Sequence, residues 1–110
     1  MKTVIINNLE WQKKDDGVTR NWNEALEYAN DLGDGWRLPT IKELISLIDF
    51  NSFHSACYIK DCHSSYYWSS SLSAGSSGYA WSVHFYYGGV YGNGKGDHFY
   101  ARCVRTIEEC

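Results

Sequence analysis

The first half of the chain carries helical spacing and the second half carries strand spacing. Trp22, Ala25, Leu26, Ala29 and Leu32 recur at three- and four-residue intervals and make one apolar face of a helix. Asn21 stands where an N-cap belongs, Glu24 completes a capping box, and Gly33 and Gly35 end the run. Trp36-Arg37-Leu38-Pro39 follows, and Pro39 pre-sets the entry to a second helix. That helix has its own capping box, Thr40 with Glu43, and a buried stripe of Ile41, Leu44, Ile45 and Ile48. Leu9 to Gln12 reads as a short strand before the polar turn Asp15-Asp16-Gly17, and residues 49–65 have no period and read as a loop.

Beyond residue 65 the period changes to two. Tyr66 to Ser70 predicts a strand. Trp81, Val83 and Phe85 alternate with Ser82, His84 and Tyr86, the pattern of a strand with one face in the core and one in solvent. Tyr87-Gly88-Gly89 predicts a turn and Val90-Tyr91 the start of a return strand. Gly92, Gly94 and Gly96 predict a long mobile turn, and Tyr100 to Thr106 a last strand. Helices first and a small antiparallel sheet afterwards define an α+β fold, in which two helices pack on the sheet and long loops connect the parts. No Pro-rich or charged linker divides the 110 residues, so residues 1–110 read as a single domain.

Composition sharpens this picture at one point. Five Trp are spread along the chain as core anchors would be, whereas eight of the nine Tyr crowd into the second half. Tyr66, Tyr79, Tyr86, Tyr87 and Tyr91 form an expected exposed cluster, which is unusual unless it meets a partner. The net charge of −3 and the scattered Lys and Arg argue against nucleic acid. No apolar run is long enough to span a membrane, and the apolar stretch after Met1 is too short for a signal peptide.

Catalytic and metal chemistry find little support. Ser82, Asp97 and His98 are the residue types of a hydrolytic triad, but no Gly-x-Ser-x-Gly elbow accompanies them. His84 and His98 lack ligand spacing, and Asp15, Asp16, Asp31 and Asp34 lack the alternation of a calcium loop. No cofactor is expected. Cys57, Cys62, Cys103 and Cys110 allow three disulfide pairings, with Cys57 and Cys62 near enough for a local bridge, or four thiols.

Three pieces, in order, resemble a known family. Trp36 to Leu44, then Trp68-Ser69-Ser70 with Ala80-Trp81, then Arg102-Cys103-Val104-Arg105 are similar to the motifs of the Lcl C-terminal domain of collagen-like bacterial adhesins; Trp11, and Trp22 with Ala25 and Tyr28, fit as well. The resemblance implies a C-type-lectin-like fold of the branch shared with formylglycine-generating enzymes. It also implies ligand binding, of polysaccharides in some adhesins, at a cell surface, in a secreted protein or on a phage particle. The Glu-Pro-Asn or Gln-Pro-Asp and Trp-Asn-Asp motifs of calcium-dependent sugar binding are absent.

Leu72 to Phe99 also resembles the variable region of a protein diversified by a retroelement. Such systems mutate adenines, and an AAC codon can reach codons for Ser, Tyr, His, Asn, Asp and Gly but not Lys, Glu, Gln, Met or Trp. The reachable positions include Ser73, Ser76, Ser77, Tyr79, Ser82, His84, Tyr86, Tyr87, Tyr91, Asn93, Asp97 and His98, the expected ligand-binding residues. Trp81, Val83, Phe85, Gly88, Val90 and Lys95 would be the fixed frame, pointing inward. Tyr with Ser, Gly and Asn is also the chemistry of antibody loops, large contact area with adaptable hydrogen bonding. The expected function is a binding module for a protein or glycan, not an enzyme. The alternatives are an undiversified polysaccharide-binding adhesin domain and an oxidase of the formylglycine-generating kind, which would need a pair of reactive Cys.

Overall fold

The computed structural model describes residues 2–50, 57–59, 63–73 and 78–107. Strands β1 (Thr3–Ile6) and β2 (Leu9–Gln12) precede helices α1 (Trp22–Asp31) and α2 (Ile41–Ile45); β3 (Tyr66–Leu72), β4 (Tyr79–His84), β5 (Gly89–Gly94) and β6 (Val104–Thr106) follow. The strands form two antiparallel three-stranded sheets, ordered β1-β2-β6 and β3-β4-β5.

Both helix starts follow the sequence. The Asn21 side chain accepts from the Glu24 N–H at 2.9 Å while Glu24 accepts from the Asn21 N–H at 3.1 Å. Gly33, at φ 67°, turns the chain out of α1 where a side chain would be strained. In α2 the Glu43 carboxylate accepts from the Thr40 N–H at 2.8 Å and is also gripped by both Arg37 guanidinium nitrogens at 2.7 and 2.9 Å. Arg37 thereby holds Glu43 below the usual carboxylate range. Its backbone pairs in both directions with Val104, which ties the Trp36–Pro39 segment to β6.

Strand β1 is an addition to the sequence reading. Asn7 and Asn8 take φ of 54° and 63°, and the chain reverses there so that Val4 faces Trp11 and Ile6 faces Leu9.

Two apolar cores form. One gathers Trp11, Leu44, Leu47, Ile48, Tyr67, Val83 and Phe85, and the other Ala25, Ala29, Leu38, Trp68, Ala80 and Cys103. Tyr67 and Val83 are paired in the sheet, and Trp68 and Ala80, on the opposite face, belong to the other core. The β3-β4-β5 sheet is therefore covered on both faces near β3.

Two expectations are corrected here. The mobile turn expected across 92–96 is strand as far as Gly94, because backbone pairing of Trp81 with Gly92 and Tyr79 with Gly94 needs no side chain. The turn that follows is held to the body by Lys95, whose ammonium lies 4.5 Å from the Trp22 ring centroid. The last strand is only Val104–Thr106, since the chain before it changes partners: Phe99 bridges Arg20, Tyr100 bridges Tyr67, and Cys103 accepts from the Gln12 N–H.

Candidate ligand-binding face

Register decides which side chains share a face. Tyr66 pairs with His84, Trp68 with Ser82, Ser82 with Tyr91, and Ala80 with Asn93, so Tyr66, His84, Tyr91, Ser82 and Asn93 stand on one side of the sheet. At the end near the β4–β5 turn the rings of this side touch in a chain. Phe99 stacks on Tyr66 at 4.5 Å. Tyr66 meets His84 edge-on at 4.4 Å and Tyr91 at 5.8 Å. His84 meets Tyr87 at 4.9 Å, and Tyr87 meets Tyr86 at 4.7 Å. Tyr87 is 71% exposed and Tyr91 38%, with Tyr66, His84 and Tyr86 half-buried beneath them.

His84 is the electrostatic centre of this cluster. Burial among the rings pushes its pKa below the ordinary imidazole value. The Tyr86 N–H lies 3.2 Å from Nδ1, so Nδ1 accepts and the proton of the neutral ring sits on Nε2.

The twelve expected binding residues divide. His84, Tyr86, Tyr87 and Tyr91 come together as described. Ser82 does not face solvent: it is fully buried, donates its hydroxyl to Asn93 Oδ1 at 2.6 Å and lies 3.3 Å from the Tyr91 carbonyl. The reason is the double cover of the sheet near β3, which closes this face over Ser82, whereas Tyr91 opposite it on the edge strand stays partly open. Asn93 is half-buried through the same bond. Tyr79 is exposed, but alternation puts it with Trp81 and Val83 on the opposite side from His84. Ser73 lies where β3 gives way to the next loop, its N–H on the Tyr79 carbonyl at 3.0 Å. Asp97 and His98 are exposed in the turn after β5, and His98 approaches Glu24 at 3.8 Å. Ser76 and Ser77 lie outside the described residues. Val90, expected to point inward, is 39% exposed because β5 is an edge strand.

The sequence reading missed Phe99 as a ring of this face. It also missed a buried polar network elsewhere. Asp15, read as a turn residue, is 1% exposed in its side chain and stands 3.3 Å from the fully buried Arg102 guanidinium. Asp15 also accepts from the Tyr67 hydroxyl and lies 3.0 Å from His63 Nδ1. Arg102 donates to the Gln12 and Lys13 carbonyls at 2.7 and 2.8 Å.

Cys103 is buried in the second core, and desolvation pushes its thiol up to about 12, which leaves almost no thiolate near neutral pH. Cys62 and Cys110 lie outside the described residues. No group of three metal-ligating side chains occurs among the described residues.

Two helices against two small antiparallel sheets give the chain a C-type-lectin-like fold. A solved structure with the same arrangement is EMS16, an antagonist of the collagen receptor integrin α2β1 (GPIa/IIa). It superposes with a TM-score of 0.68 at 13% identity, over 96% of this chain and 97% of that one. No curated protein sequence matches the chain significantly. The model of the Lcl C-terminal domain matches residues 5–105, and the chain belongs to that family.

Proposed function

We propose that the domain binds a protein ligand through the rings of Tyr66, His84, Tyr86, Tyr87, Tyr91 and Phe99, and that residues of 72–99 are diversified by a retroelement. The observation that carries the reading is the unbroken ring chain that includes the 71% exposed Tyr87. Membership of a family of lectin-like ligand-binding domains supports a binding role in general.

Ring geometry favours protein over glycan. Tyr66 with His84 and Tyr86 with Tyr87 meet at 86° and 76°, which offers edges and hydroxyls in several directions rather than one flat platform for a sugar ring. EMS16, similar in fold, acts on a protein receptor. A buried Cys103 with its thiol near 12 speaks against an oxidase that needs a reactive Cys pair.

Diversification is supported by the residue types, since His84, Tyr86, Tyr87 and Tyr91 all belong to the reachable set. Buried Ser82 belongs with the fixed frame, and exposed Val90 with the open surface.

Binding is tested by screening the domain against arrayed protein ectodomains and arrayed glycans. Protein hits that compete with one another support the reading, and glycan hits alone overturn the choice of protein. Diversification is tested on the gene. Codons ending in C at 84, 86, 87 and 91, with a near-identical adenine-rich copy nearby, support it; their absence removes it and leaves an undiversified adhesin-type domain.

A further inference from the structure

Strand β5 is the outer strand of its sheet, and among the described residues no strand pairs with its free side. Residues Gly89–Gly94 hold three glycines and no Pro or charged residue, so they lack the usual devices that blunt an edge. Val90, Tyr91 and Gly92 are all exposed.

The direction of the backbone groups follows from neighbouring bonds. Tyr79 accepts from the Ser73 N–H and Phe85 donates to the Ser65 carbonyl, each at 3.0 Å, so the odd-numbered groups of β4 look toward β3. The His84 carbonyl takes the Gly88 N–H at 2.8 Å on the other side. By alternation Ala80, Ser82 and His84 bond to Asn93, Tyr91 and Gly89, and the N–H and C=O groups of Val90 and Gly92 point away from the sheet.

The charge beside this edge is acidic. The exposed Asp97 holds its carboxylate 3.9 Å from where a Cβ on Gly94 would stand. The nearby Lys95 ammonium is turned onto the Trp22 ring, and the whole chain carries −3.

We propose that an extended, basic segment of the protein ligand adds to β5 as a fourth strand, hydrogen-bonding Val90 and Gly92, with its side chains reaching the adjoining rings. The proposal rests on the reading of those rings as a ligand-binding face. It also gives that face a constant element: backbone bonds do not depend on side chains, so they persist while the neighbouring rings vary.

The probe is the end-capped peptide Lys-Val-Lys-Val-Lys-Val, added at millimolar concentration to the isotope-labelled whole chain. The expected result is that the Val90 and Gly92 amides shift and gain protection from exchange. A peptide N-methylated on alternate residues, with one edge open, still binds, whereas one methylated on both edges binds at least about tenfold more weakly. Val90→Pro removes an outward N–H, keeps the cooperative unfolding of the parent and loses peptide binding. Gly92→Pro gives a second such variant if the first does not fold.

Equal binding by the fully methylated peptide, or by Val90→Pro, overturns the proposal. So does equal binding of Glu-Val-Glu-Val-Glu-Val, and so does protection that needs no peptide and grows with protein concentration, which would make a second copy the occupant. Shifts confined to the Tyr86, Tyr87 and Tyr91 side chains overturn edge addition while leaving the aromatic face standing. No shift at all overturns edge addition, and the face is then judged by its own array screen.

Discussion

The Tyr91 ring lies over Gly89 so closely that a Cβ at Gly89 would come within 2.6 Å of the Tyr91 hydroxyl oxygen. Tyr91 in turn rests edge-on against Tyr66. Absence of a side chain at one position thus sets the pose of the ring two residues on. Gly89→Ala must push that ring aside, and the displaced atoms are the far end of a flexible side chain. The expected stability loss is below about 1 kcal/mol, with a clear change in the Tyr91 ring signals and weaker ligand binding. Ring signals identical to the parent would show that the close approach does not govern Tyr91.

Ser82 separates structure from recognition. Its hydroxyl is fully buried and bonded to Asn93. Ser82→Ala leaves Asn93 Oδ1 without that donor and should cost about 1 to 2 kcal/mol in urea unfolding, with ligand affinity unchanged. A ligand-contacting Ser82 would give the reverse.

His84 links the face to pH. The folded ring binds its proton more weakly than the unfolded one, because burial disfavours the charge. Well above pH 6.5, both forms are neutral and the residue adds no pH dependence. As pH falls through that value the unfolded chain takes up the proton first, so stability declines, and the decline ends once the folded ring is protonated too. His84→Asn should flatten this part of the stability profile between pH 7 and 5, and NMR titration of the parent should place His84 below the free imidazole. A raised His84 value would contradict the burial argument.

Asp15 and Arg102 form a buried ion pair whose removal by halves should be costly. Asp15→Ala leaves the Arg102 guanidinium in the core without its carboxylate, at an expected cost of about 3 to 5 kcal/mol. Replacing both residues by apolar ones of similar size should cost less than either single change. Additive losses in that cycle would show that the pair is not coupled.

The legible parts of this fold were local. Asn21 with Glu24 and Thr40 with Glu43 announce both helix starts because each capping box is complete within four residues. The alternation from Trp81 to Tyr86 gave the strand and the side of each residue, but not its burial. Ser82 and His84 share a face, yet only Ser82 lies under the second core, and nothing between residues 81 and 86 encodes what packs above them. Strand β1 was missed because Val4-Ile5-Ile6 has no alternation and its turn is Asn7-Asn8 rather than a glycine pair. The Asp15–Arg102 pair spans 87 positions, beyond any spacing rule. Phe99 joins the site only because its backbone bridges Arg20 and brings the ring back onto Tyr66.

The central claim is that the exposed rings bind the ligand. Its most direct test is the dissociation constant for a protein hit from the array, measured for the parent and for the Tyr86→Ala/Tyr87→Ala double variant at one salt concentration and one pH. Exposed aromatic anchors predict a loss of about tenfold or more with the melting temperature nearly unchanged. Equal affinities for the parent and a folded double variant would contradict the account and move the binding site elsewhere on the domain.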